Sequence, residues 1–316
     1  MRIVAITAVV LLALAAQSAF AEAVGYNRIV IPAESDVLLT APFSQDLEGE
    51  YTVSGLGGTS DVTVTDALES GAYAGDYYVR FTSGDASGLW TTISANGVNS
   101  FTLENLEVYE EVSIGDTFRV YKHHTLDSIF PRGQLNKSFT YGTIVQFFEN
   151  PPDGETINKS FSKSASYRSS GGGTWRGTGA GLPIEPETLF IVRNPSEEDL
   201  ELILKGDVPD YSVSILITDG VALGDAGDRV IGSGYPLPVP LKGSGLEGTF
   251  GRVVQFFDNS ATGINKSFVK SASYRSTGGG TWRGSGADES IGASESVTLR
   301  LPSGEAVKKV TITKPY

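Results

Sequence analysis

The phrase SFSKSASYRSSGGGTWRGTGA (Ser160–Ala180) returns 107 residues later as SFVKSASYRSTGGGTWRGSGA (Ser267–Ala287), with 18 of 21 positions identical. Any fold for this chain must therefore build one local structure in two settings. Upstream, TYGTIVQFFEN (Thr140–Asn150) matches TFGRVVQFFDN (Thr249–Asn259). Downstream, Ile184, Arg193, Pro195, Ser196 and Glu198 meet Ile291, Arg300, Pro302, Ser303 and Glu305. The repeat units are read as about residues 140–205 and 249–312, with a spacer over 206–248.

Within a unit, VQFF reads as a strand, and SKSASYR with GGGTWRG as a hairpin closed by a Ser/Gly loop. TLFIVRNP reads as a strand ended at Asn194-Pro195, where the pre-proline residue is held extended. The alternation of Leu200, Leu202 and Leu204 predicts a further strand after a PSEE turn. Unbroken alternation from Ile157 puts Phe161, Lys163, Ala165 and Tyr167 on one side of the ribbon. The other side then carries Ser162, Ser164, Ser166 and Arg168. Tyr167 with Trp175, and Tyr274 with Trp282, are predicted as cross-strand aromatic pairs.

The chain has no cysteine, which removes disulfides and thiolate chemistry, so stability has to come from a hydrophobic core. Short β-branched runs broken by Gly, Pro, Asn and Asp predict an all-β protein. The opening MRIVAITAVVLLALAAQSAFA has one Arg, an apolar run and an Ala-Phe-Ala site. It reads as a secretory signal peptide over residues 1–21 and predicts export to the periplasm, cell surface or beyond. No later run approaches the roughly 18 apolar residues of a spanning helix. Eight strand candidates between Gly25 and His124 predict an acidic N-terminal β-barrel or sandwich over residues 22–133. Two repeated, sandwich-like β-cassettes are expected over 134–316.

Charge is unevenly spread. Glu22–Val120 holds 16 acidic residues against three basic ones, whereas Tyr121–Tyr316 is close to balanced. The doubled phrases are basic, with Lys163, Arg168 and Arg176 in one copy and Lys270, Arg275 and Arg283 in the other. Electrostatic complementarity, between copies of the chain or towards an extracellular glycan, follows from that layout. Nucleic acid is excluded as a partner by export and by the overall charge of −13.

Catalytic signals are weak. The only histidines, His123 and His124, are adjacent, so on a strand they point to opposite faces and do not share a metal. GSGLEG (Gly243–Gly248) matches a dinucleotide fingerprint by letter but follows a proline-rich stretch and lacks a helix after it. Asp219, Asp225 and Asp228 are a weak calcium candidate without EF-hand spacing. A glycosidase carboxylate pair cannot be chosen among the acids from sequence. No cofactor is expected. The candidate ligand-binding residues are Tyr167, Arg168, Trp175, Arg176, Tyr274, Arg275, Trp282 and Arg283, as a sugar-stacking platform with cationic donors beside it.

The segments GYNRIVIPAESDVLLTAPF, DYYVRFTSGDASGLWTTISANG, GDTFRVYKHHTLDSIFP, VQFFDNSATGINKSF, GTWRGSGA and IEPETLFIVR resemble an uncharacterised family of exported β-rich proteins of Verrucomicrobia-type bacteria. More loosely, DRVIGSGYPLPVPL followed by VVQFF is similar to the "nliGnPyp" cassette of secreted Bacteroidetes surface proteins, with Gly234 where Asn is usual. The resemblance implies an exported, modular β protein and supplies no activity. A bacterial source makes Asn136, Asn158 and Asn265, each in N-K-S, turn residues rather than glycosylation acceptors. The function expected is a non-enzymatic structural or interaction protein of the cell envelope or matrix, with carbohydrate binding through the twin hairpins and a carboxylate-dependent glycosidase as the alternatives.

Overall fold

The computed structural model describes residues 23–135, 142–148, 161–169, 172–216, 227–248, 251–277, 279–304 and 309–316. The expected leader, Asn136, Asn158, Asp219 and Asp225 lie outside them. The described chain is almost wholly β, with antiparallel sheets arranged as a half-barrel and two sandwich-like units.

Each copy of the doubled phrase lies in a five-stranded sheet, and the two sheets share one strand order. In the first unit the order is Thr174–Arg176, Phe161–Arg168, Ile144–Phe148, Leu189–Asn194, Ser35–Thr40. In the second it is Thr281–Arg283, Phe268–Arg275, Val253–Phe257, Ser296–Leu301, Gly227–Gly232. A two-stranded ribbon accompanies each sheet: Val24–Ile31 with Leu200–Asp207, and Val213–Leu216 with Lys309–Ile312. In Leu200–Asp207 the predicted alternation holds, with Leu200, Leu202 and Leu204 buried in the first unit's core. The Asn194 side chain organises the turn before it, donating to the Ile31, Pro32 and Glu198 carbonyls.

The strand pairing crosses the boundary expected near residue 133. Val24–Ile31 and Ser35–Thr40 pair with strands of the first unit, not with the acidic β-domain. The acidic domain is therefore threaded between two strands of the first unit, leaving after Thr40 and returning before Ile144. Its strands, from Leu47–Thr52 to Thr117–Lys122, form a seven-stranded half-barrel around Val79, Phe81, Phe101, Phe118 and Val120. The ENL of SFTLENL starts a short helix, Leu106–Glu110, capped by the Asn105 side chain.

Although inserted in the first unit, the half-barrel docks on the second. Tyr78 and Tyr121 reach into the second unit's core, and Ser214 bonds the carbonyls of Ser87 and Gly88. The two sheets also meet each other: Asn259 bonds both the N–H (2.8 Å) and the carbonyl (3.0 Å) of Leu38. Leu38, Leu189 and Ile191 pack there against Phe148, Val230, Phe257 and Phe268. This is why VQFF is apolar on both faces: Val145 and Phe147 face one core while Phe148 faces the other sheet.

The alternation predicted along the ribbon is broken. Phe147 pairs with Lys163 but Phe148 with Phe161, a bulge that skips Ser162, and Phe256/Phe257 with Lys270/Phe268 repeat it. An extra residue in one strand re-aims everything beyond it. Phe161 and Phe268 thus turn to the gap between the sheets instead of joining Lys163 and Ala165. Among the described residues no helix is long and apolar enough to cross a membrane.

Candidate functional site

The twin hairpins form as predicted in pairing but not in exposure. Tyr167 lies opposite Trp175 and Tyr274 opposite Trp282, with ring centroids 5.3 and 5.2 Å apart and both pairs inclined at 61°. The glycines between them have a steric cause. Gly173 (φ +85°) and Gly280 (φ +72°) lie under the tyrosine hydroxyls, where an added Cβ would meet the oxygen at 2.2 Å in each copy. Tyr167 is only 1 % exposed and Trp282 9 %, and all four rings pack on the two cores. A sugar-stacking platform needs open ring faces; Tyr167 and Trp282 offer none, while Trp175 and Tyr274 stay half-buried. The cations go the other way. Arg176, Arg275 and Arg283 are exposed and Arg168 half-buried, while Lys270 is held by Glu289 at 2.7 Å.

Asp228 is not in a calcium-type turn. It is buried on the strand Gly227–Gly232 and receives Arg300 at 2.7 and 2.9 Å. Asp36 receives Arg193 at the same distances in the first unit. Such bidentate guanidinium–carboxylate pairs fix orientation as well as charge. Arg193 and Arg300 were matched in the sequence, but their partners lie in strands that share little else. Asn265 adopts φ +53°, as its residue type allows, and its side chain accepts from Arg193.

His123 and His124 point apart, as their adjacency requires. His123 is buried beside Tyr78 and Trp90, and burial lowers its pKa to about 4, against a smaller opposing pull from Asp76. His124 lies near the Phe43 carbonyl and Ser128, and burial lowers it too.

The site that sequence reasoning missed is the junction of all three parts. Arg80 of the half-barrel is 1 % exposed and donates to the Gly88 carbonyl (2.7 Å) and to Glu187 of the first unit (2.6 Å). Its guanidinium also lies 5.2 Å from the ring centre of Tyr211, in the second unit. Burial raises the Glu187 pKa; Arg80 and the Trp90 indole pull it back. Burial works against the Arg80 charge, yet Glu187 and the neighbouring tyrosines hold its pKa above the usual value. Glu187 has φ +56°, in the left-handed region unusual for a residue with a Cβ. Its repeat equivalent, Ser294, has φ +60°. That shared backbone outlier is a structural mark of the duplication, invisible in the letters E and S.

Beside this pair lies a cleft of about 680 Å³. The half-barrel supplies Trp90 and Glu104, the first unit Lys163, Glu185 and Glu187, and the second Arg229. Comparison with family models, curated proteins and solved structures finds no match.

Proposed function

We propose that the chain is an exported, non-enzymatic interaction protein of the cell envelope or extracellular matrix, whose acidic half-barrel meets the arginine-bearing hairpins of another copy. The observation that carries this reading is the polarity of the hairpins. In both units the Tyr–Trp pair turns into the core and an arginine beside the Trp, Arg176 or Arg283, stays exposed. Exposed acids supply the opposite sign on the half-barrel, among them Asp46, Glu48, Asp66, Glu69 and Asp76. Contacts of this kind act mainly on association rate and specificity, and they weaken as the screening length falls to about 8 Å at physiological ionic strength. Light scattering of the mature chain across a salt series tests the reading. Association at low salt should fade at high salt, and Arg176→Glu with Arg283→Glu should abolish it. A monomer at every salt concentration overturns it.

A further inference from the structure

The two repeat units carry different polar groups at several equivalent positions, and three of those differences converge on the cleft. Glu187 stands where the second unit has Ser294, whose Oγ accepts from Asn27 Nδ2 at 2.9 Å in a closed contact. Lys163 and Leu182 line the cleft at the positions that Lys270 and Glu289 hold as an ion pair in the second unit. Arg229, buried in the cleft wall, occupies the position of Val37 in the first unit, each pairing with an equivalent strand residue, Leu299 or Val192.

The Glu187 carboxylate adds a second observation. Its side chain is 9 % exposed; Oε1 takes Arg80, the Trp90 indole also draws on the carboxylate, and Oε2 is buried with no hydrogen bond of ordinary length. A buried oxygen in that state is costly unless something donates to it. The cleft lining carries both signs, Glu104, Glu185 and Glu187 with Lys163 and Arg229, and Arg80 lies behind Glu187. A lining that mixes the two signs, with only one carboxylate in excess, favours a polar neutral ligand over an anion. Carboxylates and cations in one lining ask for groups that both donate and accept, which hydroxyls do and hydrocarbons do not. Trp90, half-buried in the same wall, offers an apolar face for a ring. The volume is that of an ordinary small-ligand site between domains.

We propose that this cleft is a saccharide-binding site, with Glu187 as hydrogen-bond acceptor and Trp90 as the stacking surface. It is independent of the charge-driven association above and is tested at high salt, where that association is suppressed. The mature chain is titrated with chitohexaose, cellohexaose and maltohexaose, followed by tryptophan fluorescence and calorimetry. At least one should bind saturably. Trp90→Ala should weaken binding by about tenfold or more, the size typical of a buried aromatic anchor, and Trp90→Phe by less. Glu187→Gln replaces an acceptor by a donor and should weaken it comparably. Because that change also touches the Arg80 pair, Glu104→Gln, in the half-barrel's part of the lining, serves as the variant away from it and should reduce affinity with an unchanged melting curve. No saturable binding to any of the three sugars, or unchanged binding by Trp90→Ala, overturns the proposal. Loss of binding only in the Arg176→Glu/Arg283→Glu variant moves the sugar to the hairpins and overturns it as well.

Discussion

The two repeat units have one backbone plan and two different neighbourhoods. In the second unit the outer ribbon, Val213–Leu216 with Lys309–Ile312, is covered by the half-barrel: Ser214 bonds Ser87, Leu216 packs on the half-barrel core, and Lys309 reaches Glu111. In the first unit the matching ribbon has no such cover on its outward face, where Val24 and Tyr26 are each 74 % exposed. The inserted domain thus breaks the symmetry of the pair, and Glu187 against Ser294 is a difference between the units that meets it. Ser294 needs only Asn27, whereas Glu187 has to hold an arginine from another domain. A duplicated fold supplies the scaffold twice; an insertion decides which copy becomes a junction.

The largest test of that asymmetry removes the arginine. Arg80→Met leaves Glu187 buried without its counter-charge and should cost about 4 kcal/mol in urea unfolding. Ser294→Ala, at the equivalent position, should cost about 1 kcal/mol or less. Arg80→Met combined with Glu187→Gln should recover part of the loss. Equal effects at the two positions would mean the junction is no different from its counterpart.

The hairpins offer a second comparison. Tyr167 is sealed in the first unit's core, where Phe130, from the segment returning from the half-barrel, packs on Trp175 at 5.9 Å. Tyr274 has no such cover and stays half-buried. Tyr167→Ala should cost about 3–4 kcal/mol and Tyr274→Ala about half as much, in proportion to the apolar surface each exposes. Matching losses by calorimetry would show that the insertion adds nothing to the first hairpin.

Acid should separate the halves by a third route. His123 sits among Tyr78 and Trp90, which lean on the second unit's core. Its folded pKa, about 4, lies below the unfolded value near 6.5, so the unfolded chain takes up the proton first as pH falls. Stability present above about pH 6.5 is lost progressively towards pH 4, by up to about 3 kcal/mol. Chemical unfolding of His123→Phe at pH 7 and pH 4.5 should show a smaller pH dependence than the unmodified chain. An unchanged slope would place the acid sensitivity elsewhere.

Much of this architecture was legible, and what was not has physical reasons. The hairpins and their aromatic pairs follow from period-two alternation and glycine placement, both local signals. The bulge at Ser162 and Val269 is not local, because it depends on how Phe148 and Phe257 pair across the sheet. The edge strands Ser35–Thr40 and Gly227–Gly232 share only the aspartate that holds an arginine, so their equivalence is set by pairing rather than by letters. Strand pairing crosses the boundary expected near residue 133 for the same reason: an insertion separates strands that the sheet brings together. Arg80 was hidden inside a strand pattern, and its partner Glu187 in a loop, with no sequence signal joining them.

The smallest effect is the most discriminating for the duplication itself. Ser294 and Glu187 share a left-handed backbone, so the conformation belongs to the fold and not to either side chain. Ser294→Gly removes the strain of a Cβ there, worth about 1 kcal/mol, and loses the hydrogen bond from Asn27, worth about the same. The two should cancel to within about 0.5 kcal/mol in urea unfolding. At the junction the same substitution, Glu187→Gly, relieves the same strain but leaves Arg80 buried without its carboxylate, so a clear net loss should follow. If both glycine variants are neutral, Arg80 finds another partner and the junction does not depend on Glu187. If both are strongly destabilising, Ser294 has a load that its single hydrogen bond does not explain.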